Sequence, residues 1–305
     1  MNPPSYGYSA TDGSQPQEQP VCPRHPDRIS YVSCKRCGRP ACPDCQRPTS
    51  VGILCVDCDR ELSRQQASAR PRNAMGGAMG SRAPVVTYTI IALCALLFLG
   101  QYVSGGLVER WLMYTPVTSV SMPWTFLTSG FLHGNVMHIL FNMYALWAVG
   151  QFLEQKLGHV RYAALFLVSV LGGHVAVFLL ASPFSEAWVT GTVGASGGVF
   201  GIFAATFIVQ RRMGVQARSM LVLIALNVGI SFLVPTISWQ GHLGGMIAGG
   251  AVAGAMYALR PSAGPGVDRQ ALARKSALRH SLVVVLAVAV CLALIVAKIL
   301  YVLSI

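Results

Sequence analysis

The sequence predicts an all-α polytopic membrane protein preceded by a small cysteine-rich domain, and three observations predict it. Of 305 residues, 53% are hydrophobic and only 11% are charged, whereas soluble domains carry about 25% charged residues. A wholly soluble enzyme is excluded. Charge is segregated: eleven basic and seven acidic residues precede Ala83, leaving twelve basic and four acidic for the rest of the chain. Seven of the nine cysteines crowd into the same polar head.

Residues 1–20, rich in Pro, Gln, Ser and Gly, have little to bury and read as a disordered tail. They lack an apolar core, so no cleavable signal peptide is expected. Residues 21–60 carry Cys22-x2-His25, Cys34-x2-Cys37, Cys42-x2-Cys45 and Cys55-x2-Cys58, four ligand pairs that suffice for two tetrahedral zinc sites. Paired spacing of this kind points to metal ligation in a reducing compartment rather than a secreted disulfide framework. All ligand positions are filled by protein, so the sites read as structural. Forty residues bury too little to fold unaided, and the metal supplies the missing stability. Residues 61–83 read as a flexible linker.

Apolar runs follow near 84–103, 134–153, 162–181, 196–210, 219–235, 239–259 and 282–303. Crossing a bilayer takes about 20 residues, which gives seven spans: six in a core over 84–260, a loop at 261–281, and a seventh helix. The fourth run has roughly 15 residues before Arg211, or about 22 Å of helix. It is too short to reach both surfaces, so its start lies below one of them, in a cavity open to water. Of the 23 basic residues, all but Arg110 and Lys298 fall in the head or in the loops after spans two, four and six. The positive-inside rule makes that side cytoplasmic and leaves the carboxyl end outside, in the cell membrane. This dispersal into short loops also argues against a nucleic-acid partner, despite the net charge of +12.

Polar groups inside a membrane usually mark function. His138 and Asn142 are four apart on one face of span two. Ser196 opens span four within Gly194-Ala195-Ser196-Gly197-Gly198, and His242 opens span six within Gly241-His242-Leu243-Gly244-Gly245. Spans two, four and six run in the same direction with these clusters near their starts, so all three lie at similar depth. Gly197 and Gly201, like Gly245 and Gly249, form small-xxx-small pairs that let helices approach closely. If those faces pack, the Ser196 hydroxyl and the His242 imidazole come within reach, the parts needed for acyl transfer. The Ser196 N–H, His138 and Asn142 are candidate donors to an oxyanion. After residue 82 the only acids are Glu109, Glu154, Glu186 and Asp268, none mid-span, which excludes an aspartyl dyad. There is no His-Glu-x-x-His motif either, and no third member for a Ser-His-Asp triad.

Gly194-Ala195-Ser196-Gly197, Gly241-His242-Leu243-Gly244-Gly245 and His133-x4-His138-Ile-Leu-Phe-Asn142, in that arrangement, resemble the rhomboid intramembrane serine proteases over roughly residues 84–260. The resemblance implies a six-helix core with spans one to six, and an added seventh helix. It implies Ser196 as nucleophile, His242 as base, His138 and Asn142 as oxyanion donors, and no catalytic cofactor. Substrates would be single-pass membrane proteins cut in or near the transmembrane segment, with span five as the substrate gate. Two departures stand out: Trp124 is followed by Thr125 where many members have Arg, and Phe200 replaces a Tyr four residues after the serine. A Phe ring can still pack on His242 but donates no hydrogen bond.

The cysteine spacing resembles a B-box type zinc finger, whose pairs alternate. That pattern assigns Cys22, His25, Cys42 and Cys45 to one ion and Cys34, Cys37, Cys55 and Cys58 to the other, with sequential pairing as the alternative. A cytoplasmic docking role toward a protein partner is the expectation for this module. His174 reads as packing, His133 as support for the first loop, Glu154 and Arg161 as helix-end groups, and Cys94 and Cys291 as buried small hydrophobes. The rival readings are a catalytically silent rhomboid-like membrane chaperone and a zinc-finger adaptor anchored in the membrane.

Overall fold

The computed structural model describes residues 19–68, 83–261 and 269–305. Most of the expected tail and most of the expected linker lie outside them. The chain divides into two compact units, Met1–Arg70 and Pro71–Ile305.

In the first unit β1 (Val21–Cys22) pairs antiparallel with β2 (His25–Ile29). A second hairpin joins β3 (Gln46–Thr49) to β4 (Gly52–Cys55), and α1 (Val56–Ser68) follows. The helix therefore continues past residue 60, into the stretch read as linker. Apart from the cysteines, the unit's buried apolar residues among those described are Ala41, Leu54 and Val56. Such a core leaves most of the stability to the cysteine clusters.

The second unit opens with α2 (Val85–Val103). A loop with two short helices, α3 (Leu107–Leu112) and α4 (Thr125–Thr128), leads to α5 (Val136–Ala145). A π-helical turn at Leu146–Gly150 carries α5 without a break into α6 (Gln151–Leu157). Then come α7 (His159–Leu180), α8 (Ser196–Arg212), α9 (Arg218–Leu233), α10 (Trp239–Ala258) and α11 (Arg269–Leu303). Among the described residues these make seven long helical segments, one for each expected span. The last is longer than expected, beginning thirteen residues before the apolar run.

By length and apolarity alone, four segments are long and apolar enough to cross a membrane: Val85–Val103, Val136–Leu157, His159–Leu180 and Gln270–Leu303. The chain is a multi-pass membrane protein. Helix α8 falls short at 17 residues, about 26 Å. Helices α8 and α10 are rich in glycine because they meet other helices rather than lipid. The central helix is α7, where 67% of the apolar window is buried, against 17% for α2 and 11% for α11.

Helices α7, α8 and α10 touch main chain to main chain. A Cβ at Gly173 would lie 2.8 Å from the Gly241 carbonyl oxygen. One at Gly249 would lie 2.5 Å from Gly201 Cα and 2.6 Å from Ser169 Oγ, and one at Gly245 would collide with the Gly197 carbonyl. Both small-xxx-small pairs read from the sequence are thus used, against each other.

At the opposite end of the bundle from the α8 start, Glu154 (1% exposed) caps the first turn of α2. It accepts from the Val86 and Thr87 N–H groups at 2.8 Å each and from Thr87 Oγ1 at 2.6 Å. His159 Nδ1 lies 2.5 Å from Oε1, the oxygen that also accepts from Val86. The helix-end reading of Glu154 was right in kind; the structure adds that it satisfies donors of a different helix, which every helix N-terminus must place somewhere. Cys94 and Cys291 are buried among apolar side chains, as expected.

Candidate active site

His138, Ser196 and His242 each sit in the first turn of their helix, with Asn142 one turn further along α5. Asn135 caps α5 by accepting from the His138 N–H at 2.9 Å. Ser238 caps α10 by accepting from the Gly241 N–H at 3.2 Å. Ser196 is the first residue of α8, so the N–H groups of its first turn have no carbonyl one turn earlier to bond. They leave a cluster of donors at the positive end of the helix dipole.

The approach to Ser196 is stitched to the loop between α2 and α5. Thr192 N–H donates to the Tyr114 carbonyl at 2.8 Å, Gly194 N–H to the Ser129 carbonyl at 3.1 Å, and Ser129 Oγ to the Thr192 carbonyl. Gly194 has φ of 133°, and a Cβ there would lie 2.8 Å from His138 Nε2 and Cε1 and 3.5 Å from Ser196 Oγ. Only glycine fits, on both conformational and steric grounds. The imidazole edge of His138 therefore faces the point where Ser196 enters its helix.

The Gly134 N–H donates to His138 Nδ1 at 3.3 Å. That leaves the proton of a neutral imidazole on Nε2, the edge nearest Ser196, as a donor. Asn142 is buried, and its Nδ2 donates to the His138 carbonyl at 2.9 Å. One of its two amide protons is thus engaged within α5 and one remains.

His242 stacks on Phe200, ring centroids 4.2 Å apart and 18° from parallel. Phe200 lies one turn beyond Ser196 on α8, so the same face that carries the hydroxyl carries the platform for the imidazole. The replacement of Tyr by Phe keeps the stacking. His242 Nδ1 lies 2.6 Å from Ser231 Oγ of α9. Ser196 and His242 are both half-buried, and no hydrogen bond is formed by Ser196 Oγ among the described residues. Catalytic hydrogen bonds are commonly loose before substrate binds.

Supporting residues surround the other departure from the usual pattern, Trp124 followed by Thr125. Trp124 Nε1 donates to the Trp111 carbonyl at 2.8 Å, Thr125 Oγ1 to the Met122 carbonyl at 2.7 Å, and Thr128 Oγ1 to the Leu112 carbonyl at 2.9 Å. The loop is anchored by these bonds, with Thr125 fully buried. His174 is a core residue: its Nδ1 donates to the Phe126 carbonyl at 2.8 Å. His133 lies edge-on to His138 at 5.1 Å, and Gln101 holds its main chain from both sides, at 3.0 and 3.1 Å. Sequence reasoning missed Gln101, Ser129 and Ser231. Each is a lone polar group in or beside an apolar run, and only the fold supplies its partner.

In the first unit the eight cysteine and histidine ligands fall into two groups, Cys22–His25–Cys42–Cys45 and Cys34–Cys37–Cys55–Cys58, with ligand atoms within 4.8 Å of one another. This is the alternating arrangement. Around zinc, tetrahedral geometry sets S···S edges near ~3.8 Å and N···S edges near ~3.6 Å. Cys37 and Cys55 sulfurs are 3.8 Å apart, and His25 Nδ1 is 3.2, 3.4 and 4.0 Å from the sulfurs of Cys42, Cys45 and Cys22. The donor set fits two metal ions. The backbone amide of Cys42, with those of Arg24 and His25, holds the Cys22 thiol down at about 6, whereas burial pushes the Cys45 thiol of the same group up to about 11.

A polar cluster sunk at the helix starts of a multi-pass bundle defines the class of protein. Residues 120–259 match the family model described as Rhomboid domain. The chain is 30% identical over 177 residues to the putative rhomboid protease YdcA of Bacillus subtilis (strain 168), covering 54% of this chain and 85% of that relative. It is 31% identical over 202 residues to rhomboid protease GluP of the same organism, covering 63% of this chain and 38% of GluP. Against RHOMBOID-like protein 5 of Arabidopsis thaliana it is 31% identical over 148 residues, 46% of each chain. The chain belongs to the rhomboid family, known as intramembrane serine proteases. It spans less than half the length of GluP and of the plant relative.

Proposed function

We propose that this protein is an intramembrane serine endopeptidase that cuts transmembrane-segment substrates through a Ser196–His242 dyad. One observation carries the reading. Ser196 and His242 open two helices that touch through bare glycine main chain, with Phe200 of the first helix stacked on the imidazole of the second.

In this mechanism the Ser196 Oγ–H proton passes to His242 Nε2 as Oγ forms a bond to the scissile carbonyl carbon. Negative charge develops on the carbonyl oxygen. The Ser196 N–H, His138 Nε2–H and the remaining Asn142 amide proton are the donors that meet it. His242 then gives its proton to the leaving amine as the C–N bond breaks. Water entering from the outer face hydrolyses the acyl-enzyme, the imidazole again taking the proton. Residues 84–260 form the catalytic core.

The charge distribution supports a cell-membrane protein with its amino end in the cytoplasm and its carboxyl end outside. The two clusters of the first unit would hold structural zinc, and the module would dock a cytoplasmic protein partner. Zinc supplies cross-linking of the fold there and takes no part in the cleavage.

Incubation of the purified full chain with a single-pass model substrate tests the reading. Wild type cleaves, and Ser196→Ala and His242→Ala do not. Equal cleavage by Ser196→Ala, or none by wild type, defeats it, the latter in favour of a silent rhomboid-like chaperone.

A further inference from the structure

We infer that Ser231 of α9 is the third member of the site. It is a positioning residue that holds His242 in the Nδ1–H tautomer, so that Nε2 presents a lone pair to Ser196. The inference deepens the dyad reading and rests on it for its catalytic consequence.

Proton accounting carries the argument. Ser231 is 3% exposed, and its Oγ has two close polar neighbours. It donates to the Asn227 carbonyl, one turn back on α9, at 2.7 Å, and it lies 2.6 Å from His242 Nδ1. A hydroxyl has a single proton. Given to a carbonyl, which can only accept, that proton is not available to the imidazole. The bond to His242 must then run the other way, with Nδ1–H donating into a hydroxyl lone pair. A neutral imidazole also carries a single N–H, so Nε2 is left unprotonated. The opposite tautomer would put a proton on Nε2 and leave nothing there to accept from Ser196.

No other group among the described residues can perform this task. The mid-span segments contain no acid, and Glu154 is engaged by α2 and His159 at the other end of the bundle. Phe200 fixes the ring plane by stacking but offers no acceptor. Ser231 fixes the rotation within that plane. During proton transfer the imidazolium carries hydrogen on both nitrogens, and Ser231 accepts from Nδ1 throughout without changing its own protonation.

The location adds a coupling. Among the described residues of α9 only Met220 and Ser231 are buried, so this helix is lightly held. Its bond to His242 ties the readiness of the base to the seating of α9.

The test uses the full chain in detergent micelles, with histidine-selective 15N NMR and cleavage of a single-pass fluorogenic substrate. Wild-type His242 is expected as the Nδ1–H tautomer, becoming a mixture in Ser231→Ala. That variant lowers kcat about tenfold, the change expected for one lost hydrogen bond, with KM within about twofold of wild type. Ser231→Thr, which keeps the hydroxyl, recovers most of the rate. An Nε2–H tautomer in wild type, or wild-type kcat in Ser231→Ala, overturns the inference. If wild type neither cleaves nor reacts at Ser196 with a fluorophosphonate, the protease reading fails, while the NMR result still decides the tautomer.

Discussion

Replacing Gly249 by alanine tests how the site is held. The added Cβ would lie 2.5 Å from Gly201 Cα, 2.8 Å from the Gly201 carbonyl carbon and 2.6 Å from Ser169 Oγ. Comfortable carbon–carbon contact is about 3.5 Å, so α10 must move away from α8 by roughly 1 Å. Main chain cannot rotate aside as a side chain can. His242 lies two turns earlier on α10 and travels with it, away from Ser196. Overpacking of this kind typically destabilises by about 1–3 kcal/mol, and a displacement of ~1 Å at reacting groups costs on the order of a hundredfold in rate. Gly254→Ala on the same helix is the control, because a Cβ there meets nothing within 4 Å. Cleavage kinetics and thermal unfolding in detergent are measured for both. Gly249→Ala is expected to lose about two orders of magnitude in kcat, with Gly254→Ala unchanged in rate. Wild-type kinetics in Gly249→Ala, or equal damage from both, would refute the reasoning.

Glu154→Gln removes the charge that receives the α2 donors and His159, and is expected to lower stability by about 2 kcal/mol, read by thermal unfolding; an unchanged midpoint would mean that other groups cap α2. Trp124→Phe deletes the donor to the Trp111 carbonyl and is expected to lower stability by about 1 kcal/mol, with cleavage measured alongside. Elemental analysis of the full chain is expected to find two zinc ions, one for each cluster, and Cys34→Ser to retain roughly one. Chelation strips both while leaving cleavage by the membrane core intact; loss of cleavage on chelation of the isolated core would assign the chemistry to a metal.

Much of this was legible before any coordinates. Seven apolar runs became seven long helical segments, and the four ligand pairs were evident from spacing, while their alternating grouping came from the B-box resemblance and is the one the structure shows. The three polar clusters were readable because a histidine or serine in an apolar run is conspicuous, and because counting spans places their helix starts on one side. What stayed hidden depends on tertiary neighbours. Ser231 looks like any hydroxyl on an apolar helix until α10 brings an imidazole to it. Gln101 has no partner in sequence, yet it brackets the His133 main chain. The π turn at Leu146–Gly150 has only a weak signature in residue type: Leu, Trp, Ala and Val continue an ordinary helix, and Gly150 alone is a poor helix former. The length of α11 was underestimated because eight of its first thirteen residues are polar or charged, and hydropathy detects lipid contact rather than helicity. The same blindness works in reverse for α8 and α10, whose neighbours are main chain.

That last contact limits how such a molecule can vary. Where α7, α8 and α10 meet, the hinge pin is largely polypeptide backbone, with small side chains such as Ala176, Ala248 and Ser169 set against glycines, so there is little that can be trimmed or enlarged to retune it. New preferences for what is bound must be written at the periphery, on helices such as α9 and α2 whose side chains still have room to change. The joint itself can only be inherited whole.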